Sequence, residues 1–285
     1  MNEFTIKAYA KINLGLDVIG RLENGYHEVR MIMQTVGICD ELTFQKLDEG
    51  IVITTDAGEL PTDENNLIYK AAKLMFDTYQ VQGGVKIHLQ KNIPIAAGMA
   101  GGSTDAAATM KGIRELYGLE CSQEELMALG VKIGADVPYC IMGGTALAEG
   151  IGEKLTALPK APQCYLLVAK PDINVSTKYV YEHLDAEGVD VHPDIDGMLL
   201  AIENGDLQGV VERLGNVLEN VTVKAHPIIT TIKERMMELG ASGSMMSGSG
   251  PTVFGIFTEE NKALDAYEAM KGDKLAKQIF VTTFC

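Results

Sequence analysis

A glycine-rich stretch at residues 93–110, IPIAAGMAGGSTDAAATM, constrains the fold of this chain more than any other feature of its sequence. Its glycines can adopt backbone angles that are closed to other residues, and they let the main chain approach a bound group closely. Ser103, Thr104 and Asp105 are typical helix N-caps, so the pattern predicts a helix that begins there. Unpaired amides and a positive dipole at a helix N-terminus form an anion site, most often for phosphate. A tight strand-to-helix turn without a ligand is the alternative interpretation.

This stretch does not carry the two commonest nucleotide-binding patterns. The dipeptide Gly-Lys does not occur in the chain, so the GxxxxGK[ST] pattern of P-loops is absent, and no GxGxxG pattern is found. A phosphate group bound here would therefore need positive charge from another part of the chain or from a metal ion on the nucleotide.

The composition favours a globular protein with one large domain or two of ordinary size. The chain has 285 residues, of which 46% are hydrophobic and 22% are charged, so it can bury a core. Its formal net charge of −15 disfavours nucleic acid and anionic membranes as partners, because both need a basic surface. The five cysteines are scattered without a CxxC pair, and no apolar run has the length of a signal peptide or a membrane span. We therefore expect a reduced, soluble, cytoplasmic protein.

The order of the predicted elements indicates an α+β fold. Alternation and helical spacing predict strands at residues 4–9, 41–47, 51–54, 85–90, 164–169 and 252–257. They predict helices at residues 65–79, from Asp105 to a stop at Gly118, from a capping box at Ser122 to Ile133, and at 175–184, 195–203 and 227–239. Residues 185–196 are predicted to form an exposed acidic loop. Pro159 and Pro162 mark the expected junction between two domains, residues 1–157 and 158–285.

Two further stretches contain candidate functional residues. Gly248, Ser249 and Gly250 precede a predicted strand, and a hairpin turn is the favoured interpretation unless the fold brings them to the first glycine-rich stretch. Asp136 lies in the largely apolar run GADVPYCI. Because an isolated buried charge is costly, this carboxylate is predicted to be paired or functional, and a structural aspartate in a turn is the equal alternative.

The N-terminal stretch KAYAKINLGLDVIGRLENGYHEV provides a fourth set of candidates. Lys11 interrupts a strand-like apolar run, although a lone lysine in such a position is more often a surface residue. Asn24-Gly25 is a hairpin dipeptide, and it presents Tyr26 and His27 just beyond the turn. A polar histidine satisfied by its surroundings is the alternative interpretation of His27.

The four stretches at residues 10–29, 93–107, 134–141 and 247–254, in this order, resemble the GHMP kinase superfamily. The resemblance implies the two-domain GHMP kinase fold, an α+β (two-layer α/β) architecture with the active site in the cleft between the domains. Within the superfamily, AKINL at residues 10–14 followed by GYHE at residues 25–28 resembles the members that act on a cytidyl-linked methylerythritol. This resemblance implies transfer of the γ-phosphoryl group of ATP to the 2-hydroxyl of 4-diphosphocytidyl-2-C-methyl-D-erythritol in non-mevalonate isoprenoid synthesis, with Mg²⁺ accompanying ATP. A small-molecule substrate is then the expected partner, without nucleic acid or membrane, and a monomer or weak homodimer is the expected state.

The resemblance also implies roles for individual residues. Asp136 would take the proton of the acceptor hydroxyl, and Lys11 would stabilise and orient that residue. The residues that would wrap the ATP phosphates are Pro94, Ile95, Ala96, Ala97, Gly98, Met99, Ala100, Gly101, Gly102, Ser103 and Thr104, with Asn66 beside the adenine. The residues that would hold the cytidine diphosphate end of the substrate are Asn13, Tyr26, His27, Thr177 and Tyr181. No residue is assigned as a direct metal ligand. Ala100 departs from the resemblance, because relatives often carry glycine there.

Two alternatives remain open. A kinase of the same superfamily could act on a sugar, homoserine or a mevalonate-type alcohol, but such small alcohols would not call for a stacking ring and a residue that contacts a nucleobase edge. A non-catalytic nucleotide-binding module could use the same glycine loops, but it would have no reason to keep both Lys11 and Asp136.

Overall fold

The computed structural model describes residues 3–23, 25–184, 189 and 191–285 of the chain. The strands, in chain order, are β1 (Glu3–Arg21), β2 (His27–Leu47), β3 (Gly50–Thr55), β4 (Gly84–Gln90), β5 (Thr145–Glu149), β6 (Lys154–Ala157), β7 (Tyr165–Lys170), β8 (Gly215–Asn216), β9 (Gly243–Met246), β10 (Val253–Phe257) and β11 (Gln278–Thr283). The helices are α1 (Leu67–Tyr79), α2 (Gly101–Tyr117), α3 (Gln123–Gly130), α4 (Val137–Met142), α5 (Thr177–His183), α6 (Ile195–Glu203), α7 (Leu207–Glu212), α8 (Glu219–Ala225), α9 (Ile228–Glu238) and α10 (Glu260–Asp273). This mixture of strands and helices confirms the predicted α+β class.

Two of the predicted features fall partly on residues outside this description. Asn24 of the predicted hairpin dipeptide lies outside the described residues, as do residues 185–188 and 190 of the predicted acidic loop. The last residues of that predicted loop, from Ile195, already belong to α6. Among the residues that are described, no helix is long and apolar enough to span a membrane.

The chain divides into two compact units that interleave along the sequence. Unit 1 contains the N-terminal segment to Ala10, Ile38–Ile93 and Ala100–Gly143, and unit 2 contains Lys11–Gly37, Pro94–Met99 and Gly144–Cys285. The long strands β1 and β2 each contribute residues to both units. The linear division at residues 157 and 158 does not coincide with these units, and it stays a prediction about domains.

Unit 1 packs one sheet against helices α1 to α4. Its strand order is β3, β4, β2 and β1, in which β4 runs parallel to β3 and antiparallel to β2. The alternation predicted for β4 is confirmed, with Val85, Ile87 and Leu89 buried in the core. A Cβ on Gly112 of α2 would come within 2.4 Å of the Phe44 ring on β2. Helix α2 approaches the sheet this closely because Gly112 has no side chain.

Unit 2 contains two sheets and helices α5 to α10. Its first sheet has the order β8, β1, β2, β5 and β6, with β8 parallel to β1 and β5 antiparallel to both β2 and β6. Its second sheet has the order β11, β7, β10 and β9, and each neighbouring pair in it is antiparallel. The connection between the paired strands β9 and β10 carries the second glycine cluster, so that cluster is a hairpin connection, as the favoured interpretation predicts.

Helices with clear start and stop residues are predicted most closely. Helix α6 spans the predicted residues 195–203. The capping box at Ser122 is present, because the Ser122 hydroxyl accepts from the Glu125 amide and the Glu125 carboxylate accepts from the Ser122 amide. Gly118 ends α2 in a left-handed conformation, as predicted. Helix α3 ends at Gly130, three residues before the predicted Ile133.

The predicted start of α2 is wrong. The helix begins at Gly101, its N-cap is Ala100 with φ of 57°, and no side chain caps it. Thr104 instead donates its hydroxyl hydrogen to the Tyr9 carbonyl oxygen, and Asp105 pairs with Lys91 at 2.9 Å. The polar side chains therefore serve contacts inside unit 1, which a local capping pattern does not reveal.

Strands β1 and β2 are much longer than predicted. The predictions at residues 4–9 and 41–47 cover only one end of each strand. From residue 10 to residue 18 every residue of β1 is buried, so the apolar alternation that marks a half-exposed strand is lost. Polar residues such as Lys11 and Asn13 inside this buried run hide it further.

Candidate active site

The glycine-rich loop follows β4 and leads directly into α2. Ala96, Gly98 and Ala100 have positive φ angles of 51°, 70° and 57°, so every second residue of this segment lies in the left-handed region. Alternation of this kind turns successive amides toward one side and forms an anion-binding concavity. For the two alanines this conformation costs on the order of 1–2 kcal/mol each. Strain that the surrounding structure maintains is typical of functional sites.

The tip of the β9–β10 hairpin lies against Gly98 within unit 2. The Ser247 hydroxyl donates a 3.0 Å hydrogen bond to the carbonyl oxygen of Gly98. A Cβ on Gly98 would come within 2.2 Å of the Ser247 carbonyl oxygen. The second glycine cluster is therefore both a hairpin turn and a neighbour of the first loop, so the two interpretations that the sequence left open hold together.

Side chains from other elements of unit 2 hold this hairpin tip. Asn216 on β8 donates a 2.8 Å hydrogen bond to the Gly248 carbonyl oxygen. Thr222 on α8 donates to the Ser249 carbonyl oxygen at 3.1 Å, and the Ser249 and Thr177 hydroxyls pair at 2.8 Å. The tip thus contacts Gly98 of the predicted phosphate loop (residues 94–104, the glycine-rich loop) on one side. On the other side it contacts Thr177, a predicted substrate residue. Sequence reasoning missed Asn216, because no local pattern marks a contact between segments so far apart.

In unit 1, the start of α2 lies beside the stretch that contains Asp136. A Cβ on Gly134 would lie 4.0 Å from the Ser103 hydroxyl oxygen. Asp136 occupies the N-cap position of α4 with φ of −80° and ψ of −13°, yet its side chain does not cap the helix. The carboxylate is half-buried and makes no hydrogen bond or ion pair with another described residue of unit 1. The structure shows no helix cap by this side chain, and the functional role of Asp136 stays a prediction.

Lys11 is buried, so it is not the surface lysine of the alternative interpretation. Its side chain is only 6% exposed, and its Nζ donates a 2.7 Å hydrogen bond to Asn13 Oδ1. Among the described residues of unit 2, no carboxylate pairs with it. A buried ammonium group without a carboxylate is costly. The predicted role of Lys11 beside Asp136 and the transferred phosphoryl group stays a prediction.

Asn13 is fully buried, and its amide is engaged at both ends. Its oxygen accepts from Lys11, and its Nδ2 lies 3.4 Å from the sulfur of Met31. Asn13 thus orients Lys11, and its contact with the cytidine diphosphate end of a substrate stays a prediction.

The structure brings His27 and Tyr181 together within unit 2. Their ring centroids are 5.3 Å apart and the rings are tilted by 38°. Burial, and to a smaller extent the positive charge of Arg21, lowers the pKa of His27. The imidazole is then neutral at pH 7, with one donor and one acceptor nitrogen. Tyr26, adjacent to His27, is 60% exposed.

Asn66 caps α1 in unit 1. Its Oδ1 accepts from the Ile68 amide at 2.8 Å, and its Nδ2 donates to the Pro61 carbonyl oxygen at 2.7 Å. Both ends of the side-chain amide are therefore engaged, and its position beside an adenine stays a prediction.

Within the described ranges, no group of three or more His, Cys, Asp or Glu side chains is placed to hold a metal ion. Mg²⁺ usually keeps several waters and is bound through substrate phosphates with one or two protein ligands.

Comparison with known proteins gives consistent matches along the whole chain. The family model described as GHMP kinases N terminal domain matches residues 66–144, and that described as GHMP kinases C terminal matches residues 198–276. A protein of Lachnospira eligens named 4-diphosphocytidyl-2-C-methyl-D-erythritol kinase is 55% identical over 99% of this chain and 98% of its own length. A protein of the same name from Lachnoclostridium phytofermentans is 53% identical over 100% of this chain and 98% of its own.

Solved structures agree with these matches. A crystal structure of 4-(cytidine 5'-diphospho)-2C-methyl-D-erythritol kinase is 32% identical, with a TM-score of 0.85 over 99% of both chains. A homoserine kinase from Cytophaga hutchinsonii has a TM-score of 0.79 over 99% of this chain and 94% of its own. At 22% identity, the latter likeness concerns the fold alone.

Proposed function

This chain belongs to the GHMP kinase family, and we propose that it transfers the γ-phosphoryl group of ATP to the 2-hydroxyl of 4-diphosphocytidyl-2-C-methyl-D-erythritol. It is a phosphotransferase with an alcohol acceptor, in the non-mevalonate route to isoprenoids. Two relatives that carry this name are 55% and 53% identical to it over 98% of their own length.

The observation that carries the proposal is the backbone of the phosphate loop. Ala96, Gly98 and Ala100 keep left-handed angles at alternate positions, and the first amides of α2 follow directly. Together they offer backbone donors to a triphosphate without the lysine of a P-loop. Lys11, buried without a carboxylate partner in its unit, supports the proposal by supplying the positive charge that the loop itself lacks.

We assign the proton transfer to Asp136 and charge stabilisation to Lys11. The 2-hydroxyl oxygen forms a bond to the γ-phosphorus while the bond from that phosphorus to the β–γ bridging oxygen breaks, which releases ADP. The hydroxyl proton passes to the carboxylate of Asp136. Lys11 offsets charge on the transferred group and keeps Asp136 ionised, while Asn13 holds the ammonium in place.

Mg²⁺ is the expected companion of ATP, and it neutralises charge on the β- and γ-phosphates. We propose that it is held mainly through those phosphates and water, and we assign it no protein ligand. The loop residues 94–104 then bind the phosphates, with Asn66 near the adenine.

The cytidine diphosphate end of the acceptor is assigned to Asn13, Tyr26, His27, Thr177 and Tyr181. The tilted ring pair of His27 and Tyr181 gives an aromatic surface on which a base can stack. The neutral imidazole of His27 can donate and accept at a base edge. We also propose that the enzyme works in the cytoplasm as a monomer or weak homodimer. Nucleic acid and anionic membranes are not proposed as partners, because its net charge of −15 repels both.

The proposal is tested by ADP release with Mg·ATP and a panel of acceptors. The panel contains 4-diphosphocytidyl-2-C-methylerythritol, the same molecule without its cytosine, mevalonate and homoserine. We expect fast release with the first and little with the others. Equal release with and without the cytosine would keep the kinase and contradict the roles of Tyr26, His27 and Tyr181. Release with mevalonate or homoserine alone would give the chain a different acceptor, and ATP binding without release would make it a binding module.

A further inference from the structure

A buried ionic cluster in unit 1 lies where the phosphate loop leaves β4 and returns as α2. Lys91 directly follows β4, Asp40 lies on β2 and Asp105 lies near the start of α2. The Lys91 ammonium contacts Asp40 Oδ2 and lies 2.9 Å from Asp105 Oδ2. All three side chains are 6% exposed or less. Two carboxyl groups thus share one ammonium group in a buried site.

The hydrogen-bond donors in this cluster are divided unequally. Asp40 Oδ1 accepts the backbone amides of Asn92 and Ile93 at 2.6 and 2.8 Å, and its Oδ2 accepts from Lys91. The carboxyl group of Asp105 receives only the Lys91 donor, and its Oδ1 has no partner among the described residues. Hydrogen-bond donors stabilise the charged form of a buried carboxyl group, so of two neighbouring carboxyl groups the one with more donors is the one that ionises. The charge therefore belongs on Asp40, and the poorly solvated Asp105 is the group that retains a proton.

We propose that Asp105 is a carboxylic acid in the folded enzyme, and that it forms with Lys91 and Asp40 a charge-neutral brace for both ends of the phosphate loop. Asp40 holds the backbone at residues 92–93, Asp105 holds the start of α2, and Lys91 joins the two. Gly101 makes room for this contact, because a Cβ there would lie 3.0 Å from Lys91 Nζ. The role of the brace in the loop rests on the proposed function, whereas the protonation state does not.

The surroundings of Asp105 support this state. Burial raises the pKa of Asp105 to about 8; the Asp40 charge acts in the same direction, and Lys91 opposes it. Helices α1, α3 and α4 pack on α2. The buried residues of α1 and α3 are all apolar, and Tyr139 is the buried titratable residue of α4.

Asp105 loses its proton near its ordinary pKa of 3.8 in the unfolded chain and near a pKa of about 8 in the folded chain. The unfolded chain thus binds fewer protons between these values, and the free energy of unfolding falls as the pH rises.

Urea unfolding of the ligand-free chain between pH 5 and pH 9 tests the protonation state. The variant Asp105→Asn replaces the acid with a neutral group of the same shape, and Asp77→Asn makes the same change at an exposed surface pair on α1. We expect the stability of Asp105→Asn relative to wild type to rise with pH up to about 8 and then level off. Asp77→Asn should show no such trend. An Asp105→Asn variant that follows the wild-type pH profile, or loses stability relative to it as the pH rises, would overturn the proposal.

Binding of a non-hydrolysable ATP analogue tests the brace itself. We expect Lys91→Met and Asp105→Ala to weaken binding by about tenfold or more, because a small displacement of the loop misplaces its amides. Asp105→Asn should restore nearly normal binding, which a general loss of folding would not allow. Normal binding by Asp105→Ala, or binding by Asp105→Asn as weak as that of Asp105→Ala, would contradict the brace. If wild type binds no ATP analogue, the proposed function and the brace role both fail, whereas the unfolding profiles still decide the state of Asp105.

Discussion

Two alanines of the phosphate loop occupy backbone conformations that usually belong to glycine. Ala96 has φ of 51° and Ala100 has φ of 57°, and Ala100 is also the N-cap of α2. A glycine at either position would relieve the steric cost but would add conformational freedom to the unfolded chain. The methyl groups of Ala96 and Ala100 therefore add steric strain to the folded loop. They also lower the conformational entropy of the unfolded chain, so less entropy is lost on folding.

The substitution Ala100→Gly should leave stability unchanged or raise it by up to about 1 kcal/mol. The steric cost of a left-handed alanine, roughly 1–2 kcal/mol, exceeds the entropic cost of glycine, about 0.5–1 kcal/mol. Ala100→Val should destabilise the chain, because a β-branched residue at positive φ is a strong outlier. Urea unfolding measures both changes. A stabilised Ala100→Val or a clearly destabilised Ala100→Gly would show that the left-handed angle of Ala100 is incorrect.

Asp136 is the residue on which the proposed chemistry most depends. Asp136→Asn should lower kcat by about 10²–10⁴, the usual contribution of a positioned base. Binding of ATP should remain, because the loop that is proposed to wrap the phosphates is unchanged. Steady-state ADP release and calorimetric ATP binding measure the two effects separately.

Asp48→Asn serves as the control for this change. Asp48 is an exposed carboxylate of the same unit, so its loss should leave kcat at the wild-type value. Near-normal turnover in Asp136→Asn would refute the base assignment, and a parallel loss in Asp48→Asn would point to a non-specific effect of charge.

At the scale of elements, the β9–β10 hairpin fixes the phosphate loop at Gly98. Gly98→Ala adds a methyl group that would come within 2.2 Å of a carbonyl oxygen of Ser247, at a residue with φ of 70°. Gly118→Ala, at the end of α2, has a similar φ of 61° but no atom within 4 Å of the added methyl group. Gly118→Ala should therefore cost the left-handed strain of about 1–2 kcal/mol less the entropic gain of about 0.5–1 kcal/mol from losing a glycine, whereas Gly98→Ala should cost more and also weaken ATP binding.

Urea unfolding of both variants, with ATP-analogue binding, separates strain from clash. The difference in unfolding free energy between the two variants measures the contact with the hairpin. Equal destabilisation and unchanged ATP binding by Gly98→Ala would mean that the hairpin does not support the loop.

Elements with local boundary signals could be predicted from the sequence, and elements defined by long-range burial could not. The capping box at Ser122 and the helix stop at Gly118 depend on residues a few positions away, so their patterns are visible in the sequence. The start of α2 depends on Lys91 and Tyr9, which draw Asp105 and Thr104 away from capping roles. Strand β1 is buried along its centre, and its polar residues there look like breaks in a strand.

At the scale of the whole molecule, the motifs and their order along the chain indicate the candidate site, whereas the burial of its residues is not visible in the sequence. The chain has 39 acidic and 24 basic residues, and in that background Lys11 looks like a surface lysine. Its burial beside Asn13 follows only from the fold. Asn216 carries no sequence signal, because it acts through contacts with distant parts of the chain. The motifs thus point to the chemistry, while the supporting contacts require the structure.

The central claim is that this chain phosphorylates one hydroxyl of a cytidyl-linked alcohol. The most direct test is to incubate it with Mg·ATP and 4-diphosphocytidyl-2-C-methylerythritol and to identify the product by phosphorus NMR. We predict one new phosphomonoester on the 2-hydroxyl for each ADP formed. ADP without a phosphorylated acceptor, or a phosphate on another hydroxyl, would contradict the claim.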